Sequence, residues 1–178
     1  MAKDSIAVLD ELEIGEAHII GASMGGMIAQ TVAYDFPERT RSLISIMSTT
    51  WAPHLPPPGR EQEQGISDMN ESSAEQAENL EKIGFYPSAL PNQVTAILSA
   101  GDRTTQVGTI EAPTLVLHGA DDELLSVEHG KHTAEVISGA KLKIYKNMGH
   151  SLPDHVIPEM VNDILGHLST NPKLASSE

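Results

Sequence analysis

The sequence predicts an α/β fold in which helices pack on a short parallel β-sheet, and three observations support this prediction. Short apolar runs alternate along the chain with longer segments whose apolar residues recur at helical spacing. A glycine-rich turn around Ser23 joins an apolar run directly to a helical pattern. Two later apolar runs are each followed at once by polar residues, as at the carboxyl ends of parallel strands.

The first fifty residues alternate helix and strand. An amphipathic pattern that Asp4 or Ser5 can cap is ended by Gly15, and a later helix is stopped by Pro37, which cannot continue it. The predicted elements are a helix at 4–13, a strand at 17–20, a helix after Ser23 to about Phe36 and a strand at 41–47.

The middle of the chain differs in composition from both ends. Residues 51–79 are rich in Pro, Glu, Gln, Ser and Asn, and the run at 55–59 contains three prolines, which excludes helix and inner strand. We interpret 51–110 as a reduced cap, or lid, inserted within a single domain that spans 1–178. Short helices are predicted within it at 75–83 and 91–99.

Regular alternation returns at Ala112. The predicted elements are a strand at 113–119, a helix at 127–137, a strand at 141–145 and a closing helix at about 157–168. The tail from Ser169 is polar, and we expect it to fray.

The segment Gly21-Ala22-Ser23-Met24-Gly25-Gly26 has the G-x-S-x-G pattern of a nucleophile elbow, with a strand before it and a helix after it. In that context the serine hydroxyl projects from a tight turn near the positive end of the helix. Gly21 and Gly25 are expected where strand and helix approach too closely for side chains. The alternative is a glycine-rich turn without chemistry.

Three candidate catalytic residues follow three strand ends in the order Ser, Asp, His. Ser23 follows the first strand, Asp121 and Asp122 follow the third, and His150 follows the fourth. A serine hydroxyl needs an imidazole to accept its proton, and the imidazole needs a carboxylate to orient it. Each residue also has a structural interpretation, since acidic pairs often cap helices and loop histidines are often only solvated. Their common position at one edge of the sheet favours a catalytic triad.

Composition excludes several other classes of function. The formal net charge of −14 argues against nucleic acid as a partner, because phosphate binding needs a basic face. The absence of cysteine excludes disulfides and thiol chemistry. There is no phosphate-binding glycine loop, no apolar run long enough to span a membrane and no signal-peptide pattern. We therefore expect a cytoplasmic protein without a cofactor, a metal or a membrane partner.

The chain resembles an α/β-hydrolase of the esterase and methylesterase type. The resemblance is carried by the segments 21–30, 113–122 and 148–150, and it extends over 1–50 and about 110–168. It implies that Ser23 is the nucleophile, His150 the general base and the Met24 N–H an oxyanion-hole donor. It places the triad acid at Asp122, which is followed by Glu123 where the family usually has proline; Asp121 is the fallback.

The resemblance also implies a truncated α/β-hydrolase fold, because the family's strands before the elbow strand and its oxyanion loop have no counterpart in residues 1–15. The edge of the strand at 17–20 would then be unpaired, and we expect a homodimer or higher oligomer to cover it. The predicted function is hydrolysis of small, short-acyl carboxylic esters through a Ser-His-Asp triad and an acyl-enzyme. The alternatives are a weak or inactive fragment that acts through self-association or protein interaction, and a lactonase, perhydrolase or carbon–carbon bond hydrolase.

The remaining histidines are expected to be structural. We interpret His129 and His132 as a solvated helix face rather than a metal site, because no third ligand is suitably spaced. His155 is expected to form a local salt bridge with Asp154, and His118 to pack or bond backbone near the acidic turn. His54 has no evident partner in the sequence.

Overall fold

The computed structural model describes residues 1–59, 82 and 90–171. The elements, in chain order, are α1 (Ala2–Glu11), β1 (Ala17–Ala22), α2 (Met24–Asp35), a 3₁₀ turn (Pro37–Arg39), β2 (Thr40–Ile46), α3 (Leu90–Ala100), α4 (Thr104–Val107), β3 (Thr114–Gly119), α5 (Val127–Val136), β4 (Lys141–Tyr145) and α6 (Ile157–Ser169). The helix predicted at 75–83 lies outside the described residues apart from Lys82, and the division into a domain with a cap insertion stays a prediction.

The four described strands form one parallel sheet in the order β1-β2-β3-β4. Ile20 pairs with Ile44, Ile44 with Leu115, and Leu117 with Lys143. All carboxyl ends therefore lie at one edge of the sheet, where the loops that follow the strands meet. This topology confirms the prediction of a short parallel sheet flanked by helices.

An apolar core lies on each face of the sheet. On one face, Met160 of α6 and Val156, which directly precedes α6, pack on the strands. On the other face, Ala29 and Ala33 of α2 pack with Leu43 and residues near α4 and α5. The inner strands β2 and β3 are almost wholly buried, because both of their faces are covered.

The two edge strands are less well covered. Ile20 on β1 is 48% exposed. Three apolar residues of α6 spaced four apart, Ile157, Val161 and Leu165, are 40%, 44% and 56% exposed. Self-association could bury both the edge of β1 and the apolar stripe of α6. These features are consistent with the expected oligomer, which stays a prediction. No helix among the described residues has both the length and the apolar character needed to cross a membrane.

Candidate active site

Ser23 lies at the sharp turn between β1 and α2. Its φ of 53° and ψ of −119° place a non-glycine residue in a left-handed, strained conformation. The turn is held from β2 and its exit loop: the Ser23 N–H donates to the Ile46 carbonyl at 2.9 Å, and the Ser48 hydroxyl donates to the Ser23 carbonyl at 2.9 Å. The strain is therefore maintained by its surroundings, and the hydroxyl is presented at the carboxyl end of the sheet.

Two glycines, Gly21 and Gly26, permit this turn, whereas the motif indicates Gly21 and Gly25. A Cβ on Gly21 would lie 2.0 Å from the carbonyl oxygen of Gly25, and a Cβ on Gly26 would lie 2.6 Å from the Cβ of Ser48. A Cβ on Gly25 would meet no described atom within 4 Å. The expectation for Gly21 holds, but the expectation for Gly25 is wrong: its backbone makes the close approach, and no atom of the described residues crowds the position of its missing side chain.

The structure brings Ser23, His150 and Asp122 together, although Ser23 and His150 are 127 residues apart in sequence. His150 Nε2 lies 2.8 Å from Ser23 Oγ, and His150 Nδ1 lies 2.8 Å from Asp122 Oδ2. A charged carboxylate can only accept a hydrogen bond, so the ring nitrogen that faces Asp122, Nδ1, carries the proton. Nε2 is then free to accept a proton from Ser23. This is the tautomer that a serine–histidine pair needs for proton transfer.

Asp122 is a buried and well-satisfied carboxylate. Its Oδ1 accepts the Leu124 and Leu125 N–H groups at 3.0 and 2.9 Å. Burial alone would raise the pKa of the Asp122 carboxyl, but hydrogen bonds from His118, His150 and the Leu125 N–H outweigh it and hold that pKa well below its usual range. The carboxylate therefore stays charged behind His150. Asp121, the fallback acid, is exposed, and its N–H is bonded to the Met148 carbonyl.

A close crossing of backbones positions His150. A Cβ on Gly119, at the end of β3, would lie 2.1 Å from the Met148 carbonyl oxygen. The loop after β4 thus crosses directly over the end of β3, with the Ala120 N–H bonded to the Tyr145 carbonyl at 2.8 Å. Asn147, with φ of 57°, makes the left-handed turn that sends the loop back toward Ser23.

Met24 is the first residue of α2, so its N–H has no carbonyl of the same helix one turn back to bond. This N–H points from the helix start next to Ser23, where the helix dipole also favours negative charge. Met24 also lines a cavity of about 190 Å³, whose described lining does not include Ser23, Asp122 or His150. Its described lining is mostly apolar and includes Met24, Met27, Ile28, Ala96, Ile97 and Arg103.

Two histidines lie inside the molecule, not on a solvated face as the sequence suggested. His129 is 2% exposed and its ring bonds Thr49 Oγ1 at 2.7 Å and the Pro56 carbonyl at 3.0 Å. His132 is 9% exposed and bonds Thr50 Oγ1 at 2.9 Å. They tie α5 to the loop that leaves β2, and burial lowers the pKa of both rings.

The other histidines differ in outcome. His54 has a partner after all, since its ring stacks edge-on against His132 at 4.8 Å. His155 bonds the Asn147 carbonyl at 3.1 Å, and the expected pairing with Asp154 is not among the ion pairs of the described residues. His118 bonds the Leu125 carbonyl near the acidic turn, as predicted. Within residues 1–59, 82 and 90–171, no cluster of three potential ligands could hold a metal ion.

Comparison with known proteins finds similarity to hydrolases. A family model described as the alpha/beta hydrolase fold matches residues 1–79. A 2-hydroxy-6-oxononadienedioate/2-hydroxy-6-oxononatrienedioate hydrolase of Cupriavidus pinatubonensis is 29% identical over 191 residues, which cover 90% of this chain and 65% of that protein. Rhodomycin D methylesterase DauP of a Streptomyces species (strain C5) is 24% identical over 213 residues, which cover 94% of this chain and 72% of that protein.

Solved structures support the same fold. A meta-cleavage product hydrolase from Pseudomonas fluorescens IP01 superposes with a TM-score of 0.72 at 17% identity, over 96% of this chain and 71% of that one. The present chain spans 65%, 62% and 59% of the length of three curated relatives that it matches.

Proposed function

Since this chain belongs to the α/β-hydrolase superfamily, we propose that it is a serine hydrolase that cleaves small carboxylic esters with short acyl chains. The observation that carries the proposal is the continuous hydrogen-bonded chain from Ser23 Oγ through His150 to Asp122, with 2.8 Å at both steps. The serine is pre-positioned for attack, and the proton acceptor and its carboxylate are in place.

The proposed reaction proceeds in two halves. Ser23 Oγ attacks the ester carbonyl while His150 Nε2 takes its proton, and the Met24 N–H stabilises the oxyanion that forms. The alcohol leaves with the proton held by His150, which gives an acyl-enzyme on Ser23. Water then attacks the acyl-enzyme, again giving its proton to His150, and the carboxylic acid is released as Ser23 recovers its proton. Asp122 stabilises the His150 cation in both halves.

The name of one relative supports ester hydrolysis, since that relative is named as a methylesterase. A methyl ester has a small alcohol group, so this name does not bear on the length of the acyl chain. The short acyl chain is proposed because aromatic residues make up only 3% of the chain, which leaves few such side chains to line a long acyl channel.

Cleavage of a carbon–carbon bond is the second candidate, because the hydrolases of 2-hydroxy-6-oxo acids include relatives that are 29% and 28% identical to this chain. The two reactions differ in what leaves. An ester releases an alkoxide that His150 can protonate on oxygen, whereas a carbon–carbon cleavage needs a proton delivered to a carbon atom.

The test is hydrolysis of p-nitrophenyl acetate and butyrate by the wild type, Ser23→Ala and His150→Ala, beside a 2-hydroxy-6-oxo-dienoate. We expect turnover of both esters by the wild type, which both variants lose. Turnover of the dienoate in preference to the esters would favour the second candidate. Activity at the level of the variants throughout would overturn both and favour a weak or inactive hydrolase that acts through self-association.

Only one oxyanion donor, the Met24 N–H, enters this proposal. Loss of one such donor typically lowers turnover by about 10²–10³-fold. We therefore expect modest turnover from this chain unless a second donor comes from a partner subunit.

A further inference from the structure

His118, which the reaction above does not use, lies behind the triad acid. It stands near the end of β3 and is fully buried. Its Nε2 lies 2.8 Å from the Leu125 carbonyl oxygen and 3.4 Å from Asp122 Oδ2. Asp122 Oδ2 is the same oxygen that His150 Nδ1 contacts at 2.8 Å from the other side.

The surroundings of the ring determine its protonation. Nε2 faces two oxygen acceptors, so it carries the proton. Nδ1 is buried and has no hydrogen-bond partner among the described residues. The ring also lies against Gly130, where a Cβ would be 2.6 Å from Nδ1. A proton on Nδ1 would have no acceptor among the described residues, whereas a proton on Nε2 has two.

A closed set of bonds joins His118 to the acid. The Leu125 N–H donates to Asp122 Oδ1 at 2.9 Å, and the Leu125 carbonyl accepts from His118. Both backbone groups of Leu125 are therefore hydrogen-bonded, its N–H to Asp122 and its carbonyl to His118, and this holds the acidic turn in place. The carboxylate has no freedom to turn away from His150 without breaking several of these bonds.

We propose that His118 is a positioning residue for the triad, whose Nε2–H faces Asp122, holds Asp122 turned toward His150 and limits how strongly Asp122 stabilises the His150 cation. The positive end of the His118 N–H dipole lies next to the oxygen that faces His150, and it opposes protonation of that imidazole. His118 would thus extend the activity of His150 as a base to lower pH. This inference rests on the proposed function only for its kinetic consequences.

Ionisable groups on three elements interact with the acid. Among the described residues they include His118 on β3, His150 after β4 and His129 on α5. His129 is held by Thr49 and Pro56, and burial lowers its pKa. Its contribution is common to all variants at position 118, so a comparison among those variants isolates His118.

The test compares His118→Gln with His118→Met. Both side chains are unbranched and of similar length, but only glutamine can donate an N–H to Asp122 and Leu125. The titration of the His150 ring is followed by NMR in a Ser23→Ala background, which requires no turnover. We expect the pKa of His150 to be higher with methionine than with glutamine by roughly half a unit to one unit, because methionine has no N–H to face Asp122 Oδ2, which His118 Nε2 approaches to 3.4 Å.

The kinetic counterpart is the pH profile of kcat/KM for p-nitrophenyl acetate. We expect the acid limb of the kcat/KM profile of His118→Met to lie at higher pH than that of His118→Gln. At a pH well below the pKa of His150, kcat/KM of His118→Met should be about threefold to tenfold lower than that of His118→Gln. Equal His150 titrations in the two folded variants would overturn the proposal, even if both lose thermal stability. An inactive wild type with the expected NMR shift would count against the proposed function and leave the role of His118 supported.

Discussion

The matched substitutions Gly21→Ala and Gly25→Ala test how the elbow is built. Both glycines belong to the same short motif, yet the structure gives them opposite environments. The new Cβ at position 21 would lie 2.0 Å from the Gly25 carbonyl oxygen, whereas at position 25 it would meet no described atom within 4 Å. The sequence pattern alone predicts that both changes are harmful.

The expected magnitudes follow from these distances. A methyl group placed 2.0 Å from a backbone oxygen must push the start of α2 away from β1 by more than an ångström, since ordinary contacts begin near 3.4 Å. Overpacking of this kind costs about 3 kcal/mol when backbone must move. At roughly 2–4 °C per kcal/mol for a domain of this size, the melting temperature should fall by about 6–12 °C. Gly25→Ala places a better helix former in the first turn of α2 and should raise stability by about 0.5 kcal/mol.

The assay is thermal unfolding followed by circular dichroism, with hydrolysis of p-nitrophenyl acetate measured on the same samples. We expect Gly21→Ala to lose about 10²-fold in kcat as well as stability, because the Ser23 hydroxyl and the Met24 N–H both move with the helix start. Equal losses of stability from the two substitutions, or a tolerated Gly21→Ala, would refute this account of the elbow.

Further predictions concern strain, charge and association. Ser23→Gly should be more stable than Ser23→Ala by about 1 kcal/mol, because the φ of 53° at this position is strained for alanine but not for glycine. Equal midpoints of urea unfolding for the two variants would show that no strain is stored at position 23. Asp122→Asn should lower kcat by about 10⁴-fold. Because the folded-state pKa of Asp122 is depressed, its charge stabilises the protein above its unfolded pKa of about 3.9, and that stability is lost as pH falls. The difference in unfolding free energy between wild type and Asp122→Asn should therefore stay nearly constant from pH 7 to about pH 5 and shrink as pH falls below about 4. A difference that already shrinks between pH 7 and pH 5, or one that stays constant well below pH 4, would count against a depressed pKa of Asp122. Light scattering should show an oligomer that Val161→Lys weakens, whereas a stable, cooperative wild-type monomer would remove the expectation of self-association.

The sheet and the meeting of the three site residues could be predicted because they follow from local patterns and one topological rule. Alternating elements imply a parallel sheet, and in such a sheet the segments after each strand converge. Ser23, Asp122 and His150 each follow a strand end, so their convergence required no knowledge of contacts. The resemblance then favoured Asp122 over Asp121, and the structure places Asp122, not Asp121, against His150.

Features that depend on partners distant in sequence could not be predicted. The spacing of His129 and His132 shows that they share a helix face, but not which way that face points. Their partners Thr49 and Thr50 lie 80 and 82 residues away. The role of Gly26 depends similarly on Ser48. His118 lies only four residues before Asp122, but His118 belongs to β3 and Asp122 to the turn that follows it. Neither helical nor strand spacing applies across such a turn, so the sequence does not indicate that the two side chains meet.

The central claim is that Ser23 is an activated nucleophile in an assembled triad. Intact mass after treatment with a fluorophosphonate tests it most directly, with wild type, Ser23→Ala and His150→Ala compared at equal concentration. The account predicts one added phosphonyl group on the wild type, mapped to Ser23, no addition to Ser23→Ala and much slower addition to His150→Ala. Equal labelling of the wild type and His150→Ala, or no labelling of a folded wild type, would contradict it.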